Sequence, residues 1–427
     1  MHWAWPAWCP SASACLPFMP NGFWRLLWAQ FLSGIGDNGL LLVAIAVLQS
    51  GGYPAWWPPL LKWVFVVWYV IGAPYFGRWA DRWIKGRLML MANVLKALAC
   101  CLLLTELHPV ASLGMVGFAA AVYAPAKYGW VTEQFPAAAL VKANAYLEIT
   151  VILAVILGFA LGGGLVAWVG YGPNASGGMA TSAIAQPLWA VIPIFLLYAV
   201  AAILCIRLPS AGPRGRARRA VTGSAWPRFW RDARALWTHG PARLTLAVTT
   251  WVWGASALIQ FAVLDWARVH LGLSLSQGAW LQACAVLGAI IGAALIVGRI
   301  RLVSVPKLLV PLATVGPLLW FCSLLSDPLF AAIGILTVGL LCGVVVVPMN
   351  ALLQYRGHRM IGAGQSIAVQ GFGENLGVLV ALSAYSGLMA WQIDVSQVIV
   401  GVGVATFTFA LLLGWGYRGW VHRVFAQ

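Results

Sequence analysis

Long apolar segments, each long enough to cross a membrane, follow one another along almost the whole chain. A helix that crosses the hydrocarbon core of a bilayer needs about 20 mostly apolar residues. Twelve segments reach this length: 23–49, 60–80, 87–107, 111–131, 141–168, 187–207, 243–268, 277–299, 303–324, 329–353, 362–389 and 395–417. Only helices or closed barrels satisfy their backbone polar groups in lipid, and barrel strands would be far shorter. The pattern therefore predicts an all-α polytopic membrane protein.

Positively charged residues lie in every second connection between these segments. Lys and Arg follow the second, fourth, sixth, eighth, tenth and twelfth segments, whereas the connection at 170–186 contains neither. Because loops rich in Lys and Arg stay in the cytoplasm, we expect both termini to be cytoplasmic. The regular alternation also supports the number of segments.

The composition agrees with a lipid environment. Of the 427 residues, 62% are hydrophobic and 8% are charged, whereas soluble domains carry about 25% charged residues. The net charge of +16 is explained by the cytoplasmic loops, so we expect no nucleic acid partner. Most cysteines lie inside apolar segments as small hydrophobic residues, and neither a metal site nor a cofactor is predicted.

The longest basic connection divides the chain into two six-helix halves. We predict an irregular N-terminal extension (1–22), an N-terminal bundle (23–207), a basic cytoplasmic linker (208–242) and a C-terminal bundle (243–427). The arginines of the linker have two interpretations: they only set the topology, or they bind anionic lipid headgroups of the inner leaflet.

Short motifs recur six segments apart. Pro125-x-Lys127 matches Pro348-x-Asn350, and Asn144-x-x-x-Glu148 matches Gln370-x-x-x-Glu374. Parallel six-helix repeats are typical of major facilitator transporters, which bind substrate near the bilayer midplane between the two halves. We therefore predict the major facilitator fold with a central cavity.

Few charged residues fall inside the predicted spans, and a charge at the bilayer centre costs about 3 to more than 10 kcal/mol. The ones that we single out are Asp37, Glu148, Asp265, Glu374, Lys96 and Lys127. Each should therefore face a partner or a wet cavity. Candidate catalytic arrangements are missing from the sequence, which has no nucleophile elbow and no phosphate-binding P-loop, so an enzyme is not expected.

Asp37 lies near the middle of the first span, on one stripe with Gln30, Ser33 and Gly34. We expect it to pair with Lys127 or with the ammonium of a lipid; the alternative is a purely structural ion pair. Lys127 is a candidate phosphate ligand, although snorkelling to the interface is an alternative. For Lys96 we expect snorkelling.

Glu374 is expected to attract an ammonium group or to accept a proton. Glu148 lies nearer the cytoplasmic end, where it suits a latch between the halves as well as a substrate contact. An interfacial ion pair with Arg268 or His270 is expected for Asp265.

Two residue sets are predicted from these positions. The substrate-binding or gating set is Gln30, Asp37, Asn38, Tyr123, Lys127, Gln260, Asn350, Gln370, Glu374 and Asn375. The inter-bundle or cytoplasmic latch is Asp81, Arg82, Lys85 and Glu148.

Several of these motifs resemble a known family. The stretches "AQFLSGIGDNGLLL", "VYAPAKYGWVTE" and "VVVPMNALLQYRGHRMIGAGQSIAVQGFGEN" resemble the lysophospholipid transporters of Gram-negative bacteria, a branch of the major facilitator superfamily. The similarity extends from about Gly22 to Val421. Family residues thought to matter match Asp37, Lys127 and Glu374, but Gln260 stands where the family commonly has an arginine.

The resemblance implies a function. Such transporters move lysophosphatidylethanolamine and related lysophospholipids from the outer to the inner leaflet of the bacterial inner membrane. An acyltransferase–acyl-carrier-protein synthetase on the cytoplasmic side then reacylates them. We expect a monomer that works by alternating access, with the lipid bilayer as its other partner.

Two other functions remain open. A proton-coupled exporter of amphiphilic cationic drugs would use the same carboxylates, although the buried ammonium of Lys127 favours an anionic or zwitterionic substrate. A lipid scaffold or receptor without transport is the third class.

Overall fold

A computed structural model describes residues 22–50, 57–103, 109–169, 185–209, 224–273, 275–296 and 307–425. In these ranges the chain forms α1 (Phe23–Ser50), α2 (Trp57–Ile71), α3 (Ala73–Arg82), α4 (Lys85–Leu102), α5 (Pro109–Gln134), α6 (Ala137–Val169), α7 (Ala185–Ile206), α8 (Ala225–Thr238), α9 (Gly240–Val269), α10 (Leu275–Ile296), α11 (Leu309–Ser323), α12 (Pro328–Met360), α13 (Ala363–Ala390) and α14 (Val395–Phe425). The predicted extension, apart from Gly22, and the connection at 170–186, apart from its last two residues, lie outside the described residues.

Each of the twelve predicted segments coincides with one helix, or with the pair α2–α3. Within the described residues, eight helices are long and apolar enough to cross a membrane, and the bent pair α2–α3 is a ninth. The other three segments correspond to α4, α10 and α11. Of these, α4 carries Lys85, Arg87 and Lys96, and the described apolar parts of α10 and α11 are shorter.

The second span bends by 62° between α2 and α3. Gly72 lies at the bend and Pro74 in the first turn of α3. A helix that meets a proline loses a backbone hydrogen bond at that point, and a preceding glycine tolerates the change of direction. The pattern of apolar residues predicts one continuous span here and does not predict this bend.

Among the described residues, the two halves share a hydrophobic core at one end of the helices and not at the other. This inner end, which the basic connections place in the cytoplasm, packs Ala293, Ile296, Val347 and Ala351 of the C-terminal half into a core of N-terminal residues. Toward the outer end one core contains only N-terminal residues and another only C-terminal residues. The halves are thus joined at the inner end and packed separately at the outer end, an outward-facing arrangement.

Candidate functional site

Asp37 forms an ion pair with Lys96 deep inside the N-terminal half. Lys96 Nζ lies 2.7 Å from Asp37 Oδ2 and 3.0 Å from Ser33 Oγ. The hydroxyl of Tyr198 on α7 donates to Asp37 Oδ1 at 2.9 Å. The Lys96 side chain is 2% exposed and that of Asp37 17%, so a charge, its countercharge and two hydroxyl groups satisfy one another at the junction of α1, α4 and α7.

This geometry corrects two predictions. The partner of Asp37 is Lys96, not Lys127, and Lys96 does not snorkel to the interface. The reason lies in the packing, because α1 presents Ser33 and Asp37 directly to Lys96 of α4. Sequence alone does not say which of two spans lies against a given helix face.

Lys127 on α5 is a buried cation of a different kind. Its ammonium lies 4.2 Å from the centre of the Tyr128 ring, a favourable cation–π distance. Among the described residues, its Nζ has no hydrogen bond and no carboxylate within 4.0 Å, the limit for an ion pair. Because a buried charge without an ion-pair partner is costly inside a membrane protein, an anionic group of a ligand would be stabilised beside this ammonium.

Two cavities meet at Lys127. The N-terminal cavity, of about 250 Å³, lies within the N-terminal half and is lined by Asp37, Lys62, Lys96 and Tyr123 among others. The inter-half cavity, of about 300 Å³, lies between the halves and contains Glu148, Asn350, Gln370, Glu374 and Asn375. Both are lined by Lys127, together with Phe65, Val66, Tyr69, Ala124 and Val151.

A chain of hydrogen bonds joins the carboxylates of the two halves. Asn350 Nδ2 donates to Glu148 Oε1 at 3.1 Å. Gln370 Nε2 donates to Asn350 Oδ1 at 2.6 Å and to Glu374 Oε1 at 2.7 Å. Tyr128 donates to Glu148 as well, at 3.2 Å. Of the residues that the internal repeat singled out, Pro125, Lys127, Glu148, Asn350, Gln370 and Glu374 therefore line one site, the inter-half cavity.

The inner end is closed by polar contacts between the halves. Asn144 and Gln354 exchange two hydrogen bonds of 2.9 and 2.7 Å. Asp81 accepts from the backbone N–H groups of Gly364 and Gln365, at 2.7 and 2.9 Å. A carboxylate at these first N–H groups of α13 also interacts favourably with the helix dipole.

Glycines allow the backbones to meet at this closure. A Cβ at Gly77 of α3 would lie 2.7 Å from Cβ of Ala368 and 2.9 Å from Cα of Gln365. A Cβ at Gly364 would lie 2.6 Å from the carbonyl oxygen of Gly77. The inner gate, which we define as the contact of α3 with the first turns of α13 and the Asn144–Gln354 pair, is therefore a close helix crossing.

Other predicted latch residues do not bridge the halves. Lys85 Nζ pairs with Glu133 Oε1 at 2.6 Å, and both belong to the N-terminal half. Arg82 is exposed. Of the predicted latch, Asp81 and Glu148 contact the C-terminal half.

The remaining predicted site residues have local partners. Gln30 Nε2 fastens α1 to α6 through the carbonyl of Leu147 and the hydroxyl of Thr150. Asn38 and Asn375 each donate to a carbonyl one turn earlier in their own helices. Two buried atoms, Tyr123 OH and Gln30 Oε1, have no hydrogen-bond partner among the described residues.

Gln260 and Asp265 both depart from expectation. Gln260 does not line the N-terminal cavity that contains Asp37, and its backbone carbonyl accepts from Gln282. Asp265 accepts a 2.5 Å hydrogen bond from Tyr385 of α13, whereas His270 lies beside Asp394 at 3.6 Å. The predicted ion pair of Asp265 with Arg268 or His270 is therefore replaced by the bond to Tyr385.

Three contributors were not predicted from the sequence: Tyr198, which binds Asp37, Gln354 of the inner gate, and Lys62 of the N-terminal cavity. Ser33 lies on the predicted stripe of Asp37, but its hydrogen bond to Lys96 was not predicted. Lys62 is a charged residue inside a predicted span, so it could have been identified from the sequence. The neutral residues do not stand out in this way. In the part of the chain that the structure describes, no three His, Cys, Asp or Glu side chains converge as metal ligands would.

Comparisons with known proteins agree with this architecture. A family model described as Major Facilitator Superfamily matches residues 26–382. The chain is 36% identical over 407 residues to the lysophospholipid transporter LplT of Klebsiella pneumoniae (strain 342), covering 93% of this chain and 96% of that protein. It is 33% identical over 403 residues to LplT of Escherichia coli O157:H7 (strain EC4115 / EHEC), covering 92% and 95%.

A solved structure shows the fold. The crystal structure of the Escherichia coli fucose:proton symporter FucP matches with a TM-score of 0.72 at 13% identity, covering 92% of this chain and 98% of that chain. The predicted all-α major facilitator fold and the resemblance found in the sequence are confirmed. The chain belongs to the major facilitator superfamily and, within it, to the lysophospholipid transporter family.

Proposed function

We propose that this protein carries lysophospholipids, lysophosphatidylethanolamine among them, from the outer to the inner leaflet of the bacterial inner membrane by alternating access. The observation that carries the proposal is the ammonium of Lys127, which lies at the junction of the two cavities and has no ion-pair partner among the described residues. A lysine ammonium is a compact point charge that suits a phosphate. A lipid phosphate entering either cavity meets Lys127 as its countercharge.

The inter-half cavity also suits the ammonium of an ethanolamine headgroup. Glu374 lines this cavity and accepts from the neutral amide of Gln370; among the described residues no cation lies within 4.0 Å of it. A zwitterionic headgroup with its phosphate at Lys127 and its ammonium toward Glu374 would compensate both groups. A cationic drug would leave Lys127 uncompensated, which favours the lipid over the exporter function.

Apolar side chains complete the cavities. Phe65, Val66 and Val151 line both of them, and Trp253 and Val378 line the inter-half cavity. We propose that the acyl chain stays against these surfaces while the headgroup crosses the polar centre.

Transport then requires the inner gate to open. The outward-facing arrangement is held by the Asn144–Gln354 pair and by Asp81 at the start of α13. Rocking of the halves about the central site would exchange these contacts for a closure at the outer end. Release on the cytoplasmic side would deliver the lipid to an acyltransferase–acyl-carrier-protein synthetase.

A flip assay tests the function. Purified protein is reconstituted in liposomes, labelled lysophosphatidylethanolamine is added outside, and the fraction that reaches the inner leaflet is measured with and without a proton gradient. We expect uptake well above protein-free liposomes. Equal lipid uptake by protein-containing and protein-free liposomes would contradict the proposal. Uptake of ethidium driven by the proton gradient, without uptake of the lipid, would favour the exporter.

A further inference from the structure

Helix α8, which lies in the connection between the two halves, packs against the inner gate. Its buried side chains Phe229, Ala233 and Leu236 form a core with Ala73 of α3 and with residues of α13. The ring of Phe372 on α13 lies 5.4 Å from the Phe229 ring and 5.6 Å from the Trp230 ring. The helix therefore contacts both sides of the gate.

The depth of these contacts places α8 at the membrane surface. Its partners on α13, from Ala368 to Phe372, lie five to nine residues after the first residue of that helix. At 1.5 Å per residue this is about 8 to 14 Å along a spanning helix. A helix at that level lies beside the inner headgroup region of the bilayer and not out in the cytoplasm.

The exposed face of α8, which flanks its buried face, is aromatic and basic. Trp230 is 53% exposed and Trp237 is 42% exposed, and both Arg231 and Arg234 are exposed. At 100° per residue, Trp230, Arg234 and Trp237 lie on one stripe and Arg231 lies beside it. Tryptophan at the acyl boundary with arginine at the phosphates is typical of helices that lie in a membrane interface.

The acidic residue of α8 neutralises this face only in part. Burial raises the pKa of the Asp232 carboxyl from its ordinary value, while Arg231, Arg228 and Arg78 lower it. Because α8 contains three arginines and one aspartate, it keeps a net positive charge, which is complementary to anionic lipid.

We propose that the exposed face of α8 binds anionic phospholipids of the inner leaflet, and that this binding holds α8 against α3 and α13 and so stabilises the closed inner gate. The lipid surface is the occupant that the aromatic rim, the arginines and the depth of α8 favour. The surface charge of the inner leaflet would then bias the outward-facing arrangement. An effect of bilayer lipids on the inner gate through α8 does not depend on which substrate is carried.

Hydrogen–deuterium exchange tests the inference on the full-length protein without substrate. The purified protein is placed in nanodiscs of phosphatidylcholine alone, or of phosphatidylcholine mixed with phosphatidylglycerol. Exchange is followed in α8 and in the first turns of α13, whose Gly364 and Gln365 amides bind Asp81. Because each basic residue near an anionic surface contributes about fivefold to binding, we expect severalfold slower exchange in the anionic nanodiscs.

Matched variants separate specific binding from total charge. Arg231→Gln/Arg234→Gln should lose most of this lipid-dependent protection, whereas Arg231→Lys/Arg234→Lys should keep it. The control Arg87→Gln/Lys142→Gln removes two charges from the N-terminal half and should also keep it. Equal exchange of the wild type in both nanodiscs, or an equal loss in the control, would overturn the inference, as would protection that arises only when a soluble protein is added.

Discussion

At positions that the internal repeat makes equivalent, the N-terminal half carries Lys127 and the C-terminal half carries Asn350. Each half also has a glutamate, Glu148 or Glu374, at equivalent positions. In the N-terminal half the glutamate is close enough to Lys127 for an electrostatic attraction. In the C-terminal half the corresponding cation is replaced by a neutral amide, which bonds to the opposite glutamate.

This difference makes the central site asymmetric in charge. Among the described residues, Lys127 of the N-terminal half has no ion-pair partner within 4.0 Å, and Glu374 of the C-terminal half is bound by the neutral amide of Gln370. With Glu148 included, the site carries one cation and two carboxylates. A zwitterionic headgroup can therefore bring its phosphate to Lys127 and its ammonium to Glu374.

The largest expected effect is a difference in the free energy of unfolding between variants of the two buried lysines of the N-terminal half. Lys96→Ala would leave Asp37 without its countercharge, and removing one partner of a buried ion pair costs about 3–5 kcal/mol. Lys127→Ala removes no ion pair and should change the free energy of unfolding by less than about 1 kcal/mol. Denaturation of the wild type and of both variants in detergent measures these changes in the free energy of unfolding. Equal destabilisation would mean that Lys127 has a structural partner like that of Lys96.

The next effect concerns transport. Lys127→Gln should lower the flip rate of lysophosphatidylethanolamine about 10- to 100-fold, because a hydrogen bond to a charged group contributes about 1.5–3 kcal/mol. Lys127→Arg keeps the charge and should retain more activity. The proteoliposome flip assay measures both. If Lys127→Gln were as active as Lys127→Arg, the positive charge of Lys127 would not be needed to bind the phosphate.

Making the halves more alike should change headgroup selectivity. Asn350→Lys would place a second cation in the chain of side chains that leads from Glu148 to Glu374, where it would repel the ammonium of the headgroup. Glu374→Gln would remove the carboxylate charge that attracts this ammonium. Either change should reduce transport of lysophosphatidylethanolamine about three- to tenfold relative to lysophosphatidylglycerol, which has no ammonium. Competition between the two lipids in one assay gives this ratio directly. An unchanged ratio in both variants would place the ammonium elsewhere.

The smallest effect is expected at the position where the family commonly has an arginine. Gln260→Arg should change the flip rate by less than about threefold, since both oxygens of Asp37 are already bound by Lys96 and Tyr198. A large gain or loss would show that Gln260 contributes to closure at the outer end.

The spans could be predicted closely because apolar length alone determines them. The predicted first span, 23–49, corresponds to α1, and the predicted eleventh, 362–389, corresponds to α13. The bend at Gly72 was not predicted, since glycine and proline permit a bend that only the packing of α2 and α3 selects.

Site residues could be found from the sequence, but their partners could not. A charge inside an apolar segment must be compensated, so Asp37, Lys127 and Glu374 stood out. Which charged residues pair depends on which helices are in contact, so the prediction that Lys96 snorkels to the interface was wrong. Gln354 is neutral and therefore does not stand out in the sequence. Its role depends on its hydrogen bonds to Asn144 in the other half, which only the structure shows.

Equilibrium binding of lysophosphatidylethanolamine to the purified protein tests the central claim, that Lys127 and Glu374 divide the headgroup between the two halves. The Kd is measured for the wild type, Lys127→Gln and Glu374→Gln, with lysophosphatidylglycerol as the second ligand. Lys127→Gln should weaken binding of both lipids about tenfold or more, and Glu374→Gln should weaken only the ethanolamine lipid. Wild-type affinity of Lys127→Gln for both lipids would contradict the account.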